Sequence, residues 1–160
     1  MMKQLLDLLR RDARKSNAEL ASQLQVPEEK VAAQIESWEK DGTIRGYQAM
    51  IDPAREGGDG VTAFIEVRVT PERGGGFDRL ARRIARFDQV TSCELISGSY
   101  DLLVVVEGDD LLAVAGFVSE KLSTLEGVIS TATHFRLKTY KEKGFLFGED
   151  ESSTRLPVTP

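Results

Sequence analysis

The sequence is poor in the residues that build disulfides and metal centres, since it has one cysteine and one histidine. Cys93 has no second cysteine to pair with, which excludes an intrachain disulfide framework and fits a reducing cytoplasm. There is no CxxC motif, no HxxxH motif and no second histidine to join His134, so we predict neither a metal nor another cofactor. We expect Cys93 to be a small, buried thiol and His134 to lie on a strand.

Long apolar runs and excess positive charge are also lacking. No stretch approaches the run of about 18 apolar residues that a membrane helix needs. The first leucines are interrupted by charged residues, so they do not form the apolar core of a signal peptide. The net charge of −5 gives no overall attraction to nucleic acid or anionic membranes, so any such binding has to come from a local patch. We predict a cytoplasmic protein without a membrane partner.

Two short apolar runs, residues 90–96 and 102–106, flank the polar segment 97–101 and predict an antiparallel β-hairpin. Side chains of a strand point alternately to its two faces, and in the second run both sets are leucine and valine. Helices of the same chain are able to cover one of these faces. In a chain of 160 residues, a second copy is the expected cover of the other face, so the sequence predicts self-association.

The N-terminal third has the pattern of three short helices. Leucines make residues 3–12 amphipathic, and Ser16 with Glu19 forms a capping-box pattern at the start of a second helix. A third helix is predicted over residues 27–40, and residues 43–51 are predicted to form a small β-ribbon. The buried stripe of the third helix is predicted to be Val31, Ile35 and Trp38. These elements predict a winged helix-turn-helix domain over residues 1–52.

A polar, glycine-rich segment, residues 53–60, is predicted to link this domain to a second one at 61–141. The predicted elements of the second domain are strands at 61–69, 90–96, 102–106 and 128–140 and helices near 77–85 and 109–125. This order predicts an α+β protein whose second domain has the ferredoxin-like βαββαβ arrangement, with both helices on one face of an antiparallel sheet. Residues 142–160 are predicted to be a C-terminal tail, disordered from about residue 148.

Three stretches of the chain resemble one family of bacterial and archaeal regulators. They are LLDLLRRDARKSNAELASQLQV, IESWEKDGTIRGYQAMIDP and the GSYD loop ahead of an apolar strand. With the domain order, these stretches are similar to the Lrp/AsnC, or feast/famine, family over residues 3–140. The resemblance implies a DNA-binding transcriptional regulator with a RAM-type second domain. It also implies homodimers, higher oligomers such as an octamer, and a response to a small effector, often an amino acid.

The loop of the predicted hairpin is the candidate effector site. The resemblance implies that effectors bind near Gly98, Ser99, Tyr100 and Asp101, where a carboxylate beside an aromatic ring suits an ammonium group. His134 is a further candidate for lining this site. The alternative is an ordinary hairpin turn, because glycine, serine and aspartate are common turn residues.

The candidate DNA-binding residues are basic or polar side chains of the helix-turn-helix, namely Arg14, Lys15, Lys30, Gln34, Ser37 and Arg45. Where the family usually has a turn glycine, a capping serine or threonine and an arginine, this chain has Gln25, Pro27 and Gln34. We expect the turn to differ, since a left-handed non-glycine residue costs roughly 1–2 kcal/mol. Residues 1–56 carry nine basic and ten acidic side chains. We therefore predict weak, salt-sensitive DNA binding per subunit, made effective by several linked copies.

A basic stripe lies on the first helix of the predicted second domain. Arg79, Arg82, Arg83 and Arg86 follow the helical spacing i, i+3, i+4 and i+7. A charged stripe opposite an apolar one is typical of a solvated helix face, and this interpretation is favoured. Contact with wrapped DNA or with an acidic partner is the alternative.

Two other functions on the same scaffold remain open from the sequence. Siroheme decarboxylases resemble this family, and a degenerate helix-turn-helix is compatible with such an enzyme. Those enzymes rely on histidines near the tetrapyrrole, and this chain has one histidine, so we predict that it is not an enzyme. A family member that does not bind DNA but modulates a partner regulator is the other alternative, and the acidic third helix fits it.

Overall fold

The computed structural model describes residues 2–57 and 60–148, and the chain divides into two units, Met1–Met50 and Ile51–Pro160. In the described residues no helix is both long enough and apolar enough to cross a membrane.

Three helices build the N-terminal unit: α1 (Met2–Arg11), α2 (Asn17–Leu24) and α3 (Glu28–Asp41). The predicted capping box is present, because the Ser16 hydroxyl accepts a hydrogen bond from the Glu19 N–H at 3.2 Å and the Glu19 carboxylate accepts one from the Ser16 N–H at 2.7 Å. The Ser16 N–H and the Ser16 hydroxyl both donate to the Glu19 carboxylate, which lowers the pKa of Glu19. Trp38 is 4% exposed, which confirms it as a core residue. The buried side chains of this unit are Leu5, Leu9, Leu20, Ala21, Val31 and Trp38.

The turn between α2 and α3 is left-handed even though it lacks glycine. Gln25 has φ 55° and ψ 47°, so the expectation that this residue would change the turn is wrong. The Gln25 N–H donates to the Ser22 carbonyl at 3.3 Å, and the Val26 N–H donates to the Ala21 carbonyl at 3.1 Å. These bonds satisfy carbonyls at the end of α2, and Val26 packs on the core, so local contacts offset the strain of the left-handed residue.

The β-ribbon predicted over residues 43–51 is absent from this described stretch. The Ile44 N–H donates back to the Trp38 carbonyl at 3.0 Å, which closes the end of α3. Beyond it, Gly46 does not take the positive φ that would make a tight turn, and residues 46–52 are neither helical nor strand-paired. The prediction was wrong because a few residues of isolated hairpin are marginally stable without a third strand or a helix to pack on.

The second unit has the predicted βαββαβ order and is preceded by the short helix α4 (Pro53–Glu56), which lies in the predicted linker and is capped by Asp52. Its main elements are β1 (Val61–Val69), α5 (Asp78–Ile84), β2 (Val90–Leu95), β3 (Leu102–Gly108), α6 (Leu111–Phe117) and β4 (Val128–Phe135). The four strands form one antiparallel sheet in the order β2-β3-β1-β4. This order confirms the α+β, ferredoxin-like prediction.

The core of the second unit lies between the sheet and its two helices. Alternate residues of β1 and β3 point into it, as period-two strands require, and are fully buried. Leu80 and Ile84 of α5 and Val114 and Phe117 of α6 meet them. Both helices therefore cover the same face of the sheet.

The C-terminal part departs from the prediction at three places. Helix α6 continues past Phe117 as a π-helical turn, Val118–Leu122. The last strand ends at Phe135 rather than at residue 140, because its partner β1 starts at Val61 and offers one further carbonyl, that of Thr62, to the Arg136 N–H at 2.9 Å. A small hairpin, β5 (Lys141–Glu142) with β6 (Phe145–Leu146), follows. Most of the predicted disordered tail, residues 149–160, lies outside the described residues.

Candidate functional site

One face of the sheet carries no helix, and we call it the open face. Register pairing across the four strands places two rows of side chains on it. The first row is Ser92, Val105, Phe64 and His134, and the second is Glu94, Leu103, Glu66 and Ala132. Side chains opposite each other in a sheet stand about 4.5–5.5 Å apart, so the apolar members form a contiguous patch.

Charged and polar groups of the open face surround its apolar centre. His134 Nε2 lies 3.5 Å from Glu66 Oε1, and both side chains are partly exposed. The Arg136 guanidinium lies 5.0 Å from the centre of the Phe64 ring and pairs with Glu142 at 3.5 Å. The face thus combines an apolar patch with charges of both signs, which is the composition of a surface able to contact a copy of itself.

The loop between β2 and β3 is closed and anchored by its last residue. The Ile96 N–H donates to the Asp101 carbonyl at 2.8 Å, which closes the loop on itself. The Asp101 N–H donates to the Val67 carbonyl at 3.0 Å, and Asp101 Oδ2 accepts a hydrogen bond from the Val69 N–H at 2.9 Å. Asp101 therefore ties the loop to the end of β1.

The anchoring bond of Asp101 lies where β1 leaves its regular pairing. The pairing of β1 with β3 ends at Val67 and Leu102, so the Val69 N–H has no partner on β3 and donates to the Asp101 carboxylate instead. The following residue, Thr70, donates to the Gly127 carbonyl at 2.8 Å. The end of β1, the hairpin loop and the start of β4 thus meet at the same end of the sheet.

The other loop residues differ in exposure. Gly98 and Ser99 are exposed, whereas Tyr100 and Asp101 are half-buried. The Tyr100 ring and the Asp101 carboxylate are thus partly shielded from solvent, whereas the tip of the loop is exposed. One oxygen of Asp101 is already used within the fold, which agrees in part with the alternative of an ordinary, well-made turn.

His134 is not beside this loop within one chain. It pairs with Phe64 of β1, whereas Asp101 bonds to Val67 and Val69. Three to five residues of strand separate these positions, or about 10–17 Å at ~3.4 Å per residue. A single copy of the chain therefore does not bring His134 and the loop together.

The candidate DNA-contacting residues of α3 lie along one flank of the helix. Lys30, Gln34 and Ser37 are spaced i, i+4 and i+7, so they form one line beside the buried stripe. Lys30 and Ser37 are exposed, whereas Gln34 is half-buried. Lys30 and Gln34 border a small apolar cavity lined also by Met2, Leu5, Leu24, Val26 and Val31.

The remaining candidates lie at the ends of the helices. Arg14 is exposed, and Lys15 is half-buried with its ammonium donating to Gln23 at 3.2 Å. The Arg45 guanidinium lies against Gly42, the left-handed residue that ends α3. A cation at this position is favourable because the C-terminal end of a helix carries a partial negative charge.

Sequence reasoning missed a contact that holds the segment after α3. The Tyr47 hydroxyl donates to Glu39 Oε1 at 2.9 Å. Partial burial and this hydrogen bond raise the pKa of Tyr47. Residue spacing within a helix gives no signal for such a contact, because Tyr47 lies outside the helix. The bond turns one acidic side chain of α3 towards its own chain.

Cys93 lies on β2, half-buried, and its thiol donates weakly to the Ala81 carbonyl at 3.7 Å. Burial raises the pKa of this thiol, and Glu94 adds to the rise. The thiol is therefore held in its unreactive, protonated form at neutral pH. Across the part of the chain that the structure describes, no group of three or more His, Cys, Asp or Glu residues is arranged for a metal ion.

Comparison with known proteins identifies this architecture. The model of the Lrp/AsnC ligand binding domain matches residues 62–145. The uncharacterised HTH-type transcriptional regulator YugG of Bacillus subtilis is 45% identical over 158 residues, covering 98% of this chain and 95% of YugG. The leucine-responsive regulatory protein of Escherichia coli is 25% identical over 142 residues, covering 89% and 86% of the two chains.

A solved structure of a transcriptional regulator has a similar fold. The structure of the transcriptional regulator NMB0573 of Neisseria meningitidis in complex with L-Met matches with a TM-score of 0.68 and 25% identity, covering 86% of this chain and 88% of that one. The fold and these relatives define a helix-turn-helix transcriptional regulator with a ligand-binding domain. The chain belongs to the Lrp/AsnC family.

Proposed function

We propose that this regulator binds DNA as an oligomer assembled through the open face, and that a small effector, an amino acid, alters the assembly. The observation that carries the proposal is the apolar patch of Phe64, Leu103 and Val105 on a sheet face without a helix. Burying a leucine, valine or phenylalanine side chain contributes roughly 1.5–3 kcal/mol. A second copy supplies this burial and also the opposite charges that the face presents.

The amino-acid effector is proposed from the hairpin loop and from two relatives. The Neisseria protein was solved with L-Met, and the Escherichia coli relative is named for its response to leucine. In this chain, Asp101 Oδ2 is used by Val69, and its second oxygen is the proposed acceptor for an ammonium group. The half-buried ring of Tyr100 would pack beside the aliphatic part of the effector.

His134 has a different role in this proposal. Its distance from the loop within one chain argues for a place at the subunit contact, next to Glu66. It reaches an effector only if another copy brings it there. The proposed effector-binding residues are therefore Gly98, Ser99, Tyr100 and Asp101 of one copy, and another copy of the chain supplies His134.

DNA recognition is proposed for the flank of α3 formed by Lys30, Gln34 and Ser37, with phosphate contacts from Arg14, Lys15 and Arg45. Lysine and glutamine suit base edges, and arginine suits phosphate. The acidic residues Glu28, Glu29 and Glu36 are exposed on the same helix and repel phosphate. We therefore propose weak, salt-dependent binding by each copy and useful affinity through several linked copies.

The effector would act through a difference in its affinity for two arrangements of the oligomer. A ligand with equal affinity for both arrangements shifts neither. An amino acid bound at the loop, which is joined to β1 by Asp101, would favour the arrangement in which neighbouring copies complete the pocket. This change alters the spacing between DNA-binding units and thereby the DNA affinity.

The test measures binding of the full chain to a duplex from the region upstream of its own gene, by fluorescence anisotropy from low to physiological salt, with and without each free amino acid. We expect specific binding that weakens as salt rises, and one amino acid or a small group that changes it. Lys30→Glu should weaken binding, whereas the matched change Lys143→Glu, also at an exposed lysine, should not. Failure to distinguish this duplex from a scrambled one at low salt would refute the proposed function.

A further inference from the structure

Four arginines lie on the outer side of α5 and in the turn after it, but they are not equivalent. Arg79 is paired with Glu72, because its Nη2 and Nε lie 2.6 and 3.2 Å from Glu72 Oε1. This carboxylate raises the pKa of Arg79 and balances its charge. Arg82, Arg83 and Arg86 are exposed, and among residues 2–57 and 60–148 none of the three forms an ion pair. These three arginines are the free stripe.

The free stripe is not a general property of the helix layer. Helix α6 covers the same face of the sheet, yet Leu111–Phe117 contains no charged residue, and the turn that continues it adds one basic residue, Lys121, next to the acidic Glu120. A solvated surface alone does not require three adjacent arginines on one helix and none on the other. The concentration of positive charge is also unusual in a chain with a net charge of −5. It indicates a surface for an anionic partner.

Packing fixes the direction of the stripe. Leu80 and Ile84 of α5 are buried against the sheet, so Arg82, Arg83 and Arg86 point away from it. The open face lies on the opposite side of the same sheet. Assembly through the open face therefore leaves the stripe accessible.

We infer that Arg82, Arg83 and Arg86 bind the phosphate backbone of duplex DNA, in addition to the contacts of the helix-turn-helix unit. The inference rests on the proposed function, because it assigns a second contact surface for the same DNA. The guanidinium fork matches phosphate in a bidentate way, which a lysine ammonium does not. Duplex DNA carries one negative charge per about 1.7 Å of its axis, so a short row of arginines meets several phosphates. Such contacts add affinity without reading sequence.

The test compares two triple variants of the full chain. R82Q/R83Q/R86Q removes the stripe, and R73Q/K121Q/K141Q removes three exposed charges elsewhere in the same unit, so both variants have the same net charge. Binding to the upstream duplex is measured across a salt series, and sedimentation of each DNA-free protein checks that assembly is intact. Each phosphate contact contributes about 0.9 to the slope of log affinity against log salt. We expect the slope to become shallower by about 2–3 for the stripe variant and to stay at the wild-type value for the control.

Three results would overturn the inference in distinguishable ways. Equal slopes for the stripe variant and the control, with unchanged sedimentation, would show that the arginines do not contact DNA, while wild-type binding would leave the proposed function standing. An unchanged slope together with altered sedimentation of the DNA-free stripe variant would show that the arginines bind an acidic surface of another copy. Loss of specific binding by the wild-type protein itself would remove the proposed function and the inference with it.

Discussion

At the scale of single residues, Asp101 shows why a residue can be found from sequence while its role cannot. The GSYD pattern locates the loop, and aspartate is common in turns. Its bond to the Val69 N–H depends on where the pairing of β1 with β3 ends, 32 residues earlier in the chain. No local pattern encodes that end point. The same limit explains His134, since its distance from the loop follows from strand pairing, which spacing along the chain does not give.

Replacement of Asp101 separates its structural role from binding. Asp101→Ala leaves the Val69 N–H without its acceptor, so we expect a loss of roughly 1–2 kcal/mol in the free energy of unfolding. Asp101→Asn keeps an acceptor oxygen and should lose less stability, but it removes the negative charge that an ammonium group needs. Urea unfolding and calorimetric titration with free amino acids measure the two effects. Ser99→Ala, at the exposed tip, is the control for stability. Unchanged amino-acid affinity in Asp101→Asn would contradict the proposed role.

At the scale of elements, the sequence predicts best where a local pattern and tertiary packing agree. The capping box at Ser16, the strand Val61–Val69 and both helices of the second unit follow from periodicity and end signals that the core then reinforces. The segment 43–51 has strand-like composition but pairs with no strand among the described residues, so composition alone gave a wrong prediction. The end of β4 was misjudged for the related reason that a strand ends where its partner begins.

The left-handed turn at Gln25 gives a test at this scale. Gln25→Gly removes the strain of a side chain at φ 55°, so we expect the free energy of unfolding to rise by about 0.5–1 kcal/mol. Gln23→Gly makes the same chemical change inside α2, where it should lower stability by up to about 1 kcal/mol. Urea unfolding of the two variants beside the wild type measures the difference. Destabilisation by Gln25→Gly would show that the Gln25 side chain contributes more than its conformation costs.

At the scale of the whole molecule, the family and the fold were accessible from sequence, because the order of elements and three local stretches agree. Assembly is a prediction drawn indirectly, from the apolar character of both faces of the strand at residues 102–106. The structure adds the composition of the open face, in which Glu66 and His134 lie beside Phe64. The positions of these two side chains depend on cross-strand register, and polar groups within an apolar patch favour one specific partner geometry over general aggregation.

Assembly through the open face is the central claim, and sedimentation of three full-length proteins at micromolar concentration tests it most directly. Leu103→Glu places a charge at the centre of the open face, whereas Leu112→Glu makes the same change on the exposed side of α6, on the other side of the sheet. We predict that the wild type and Leu112→Glu sediment as the same oligomer and that Leu103→Glu sediments as a folded monomer. A monomeric wild type, or a Leu103→Glu variant that keeps the size of the wild type, would contradict the account.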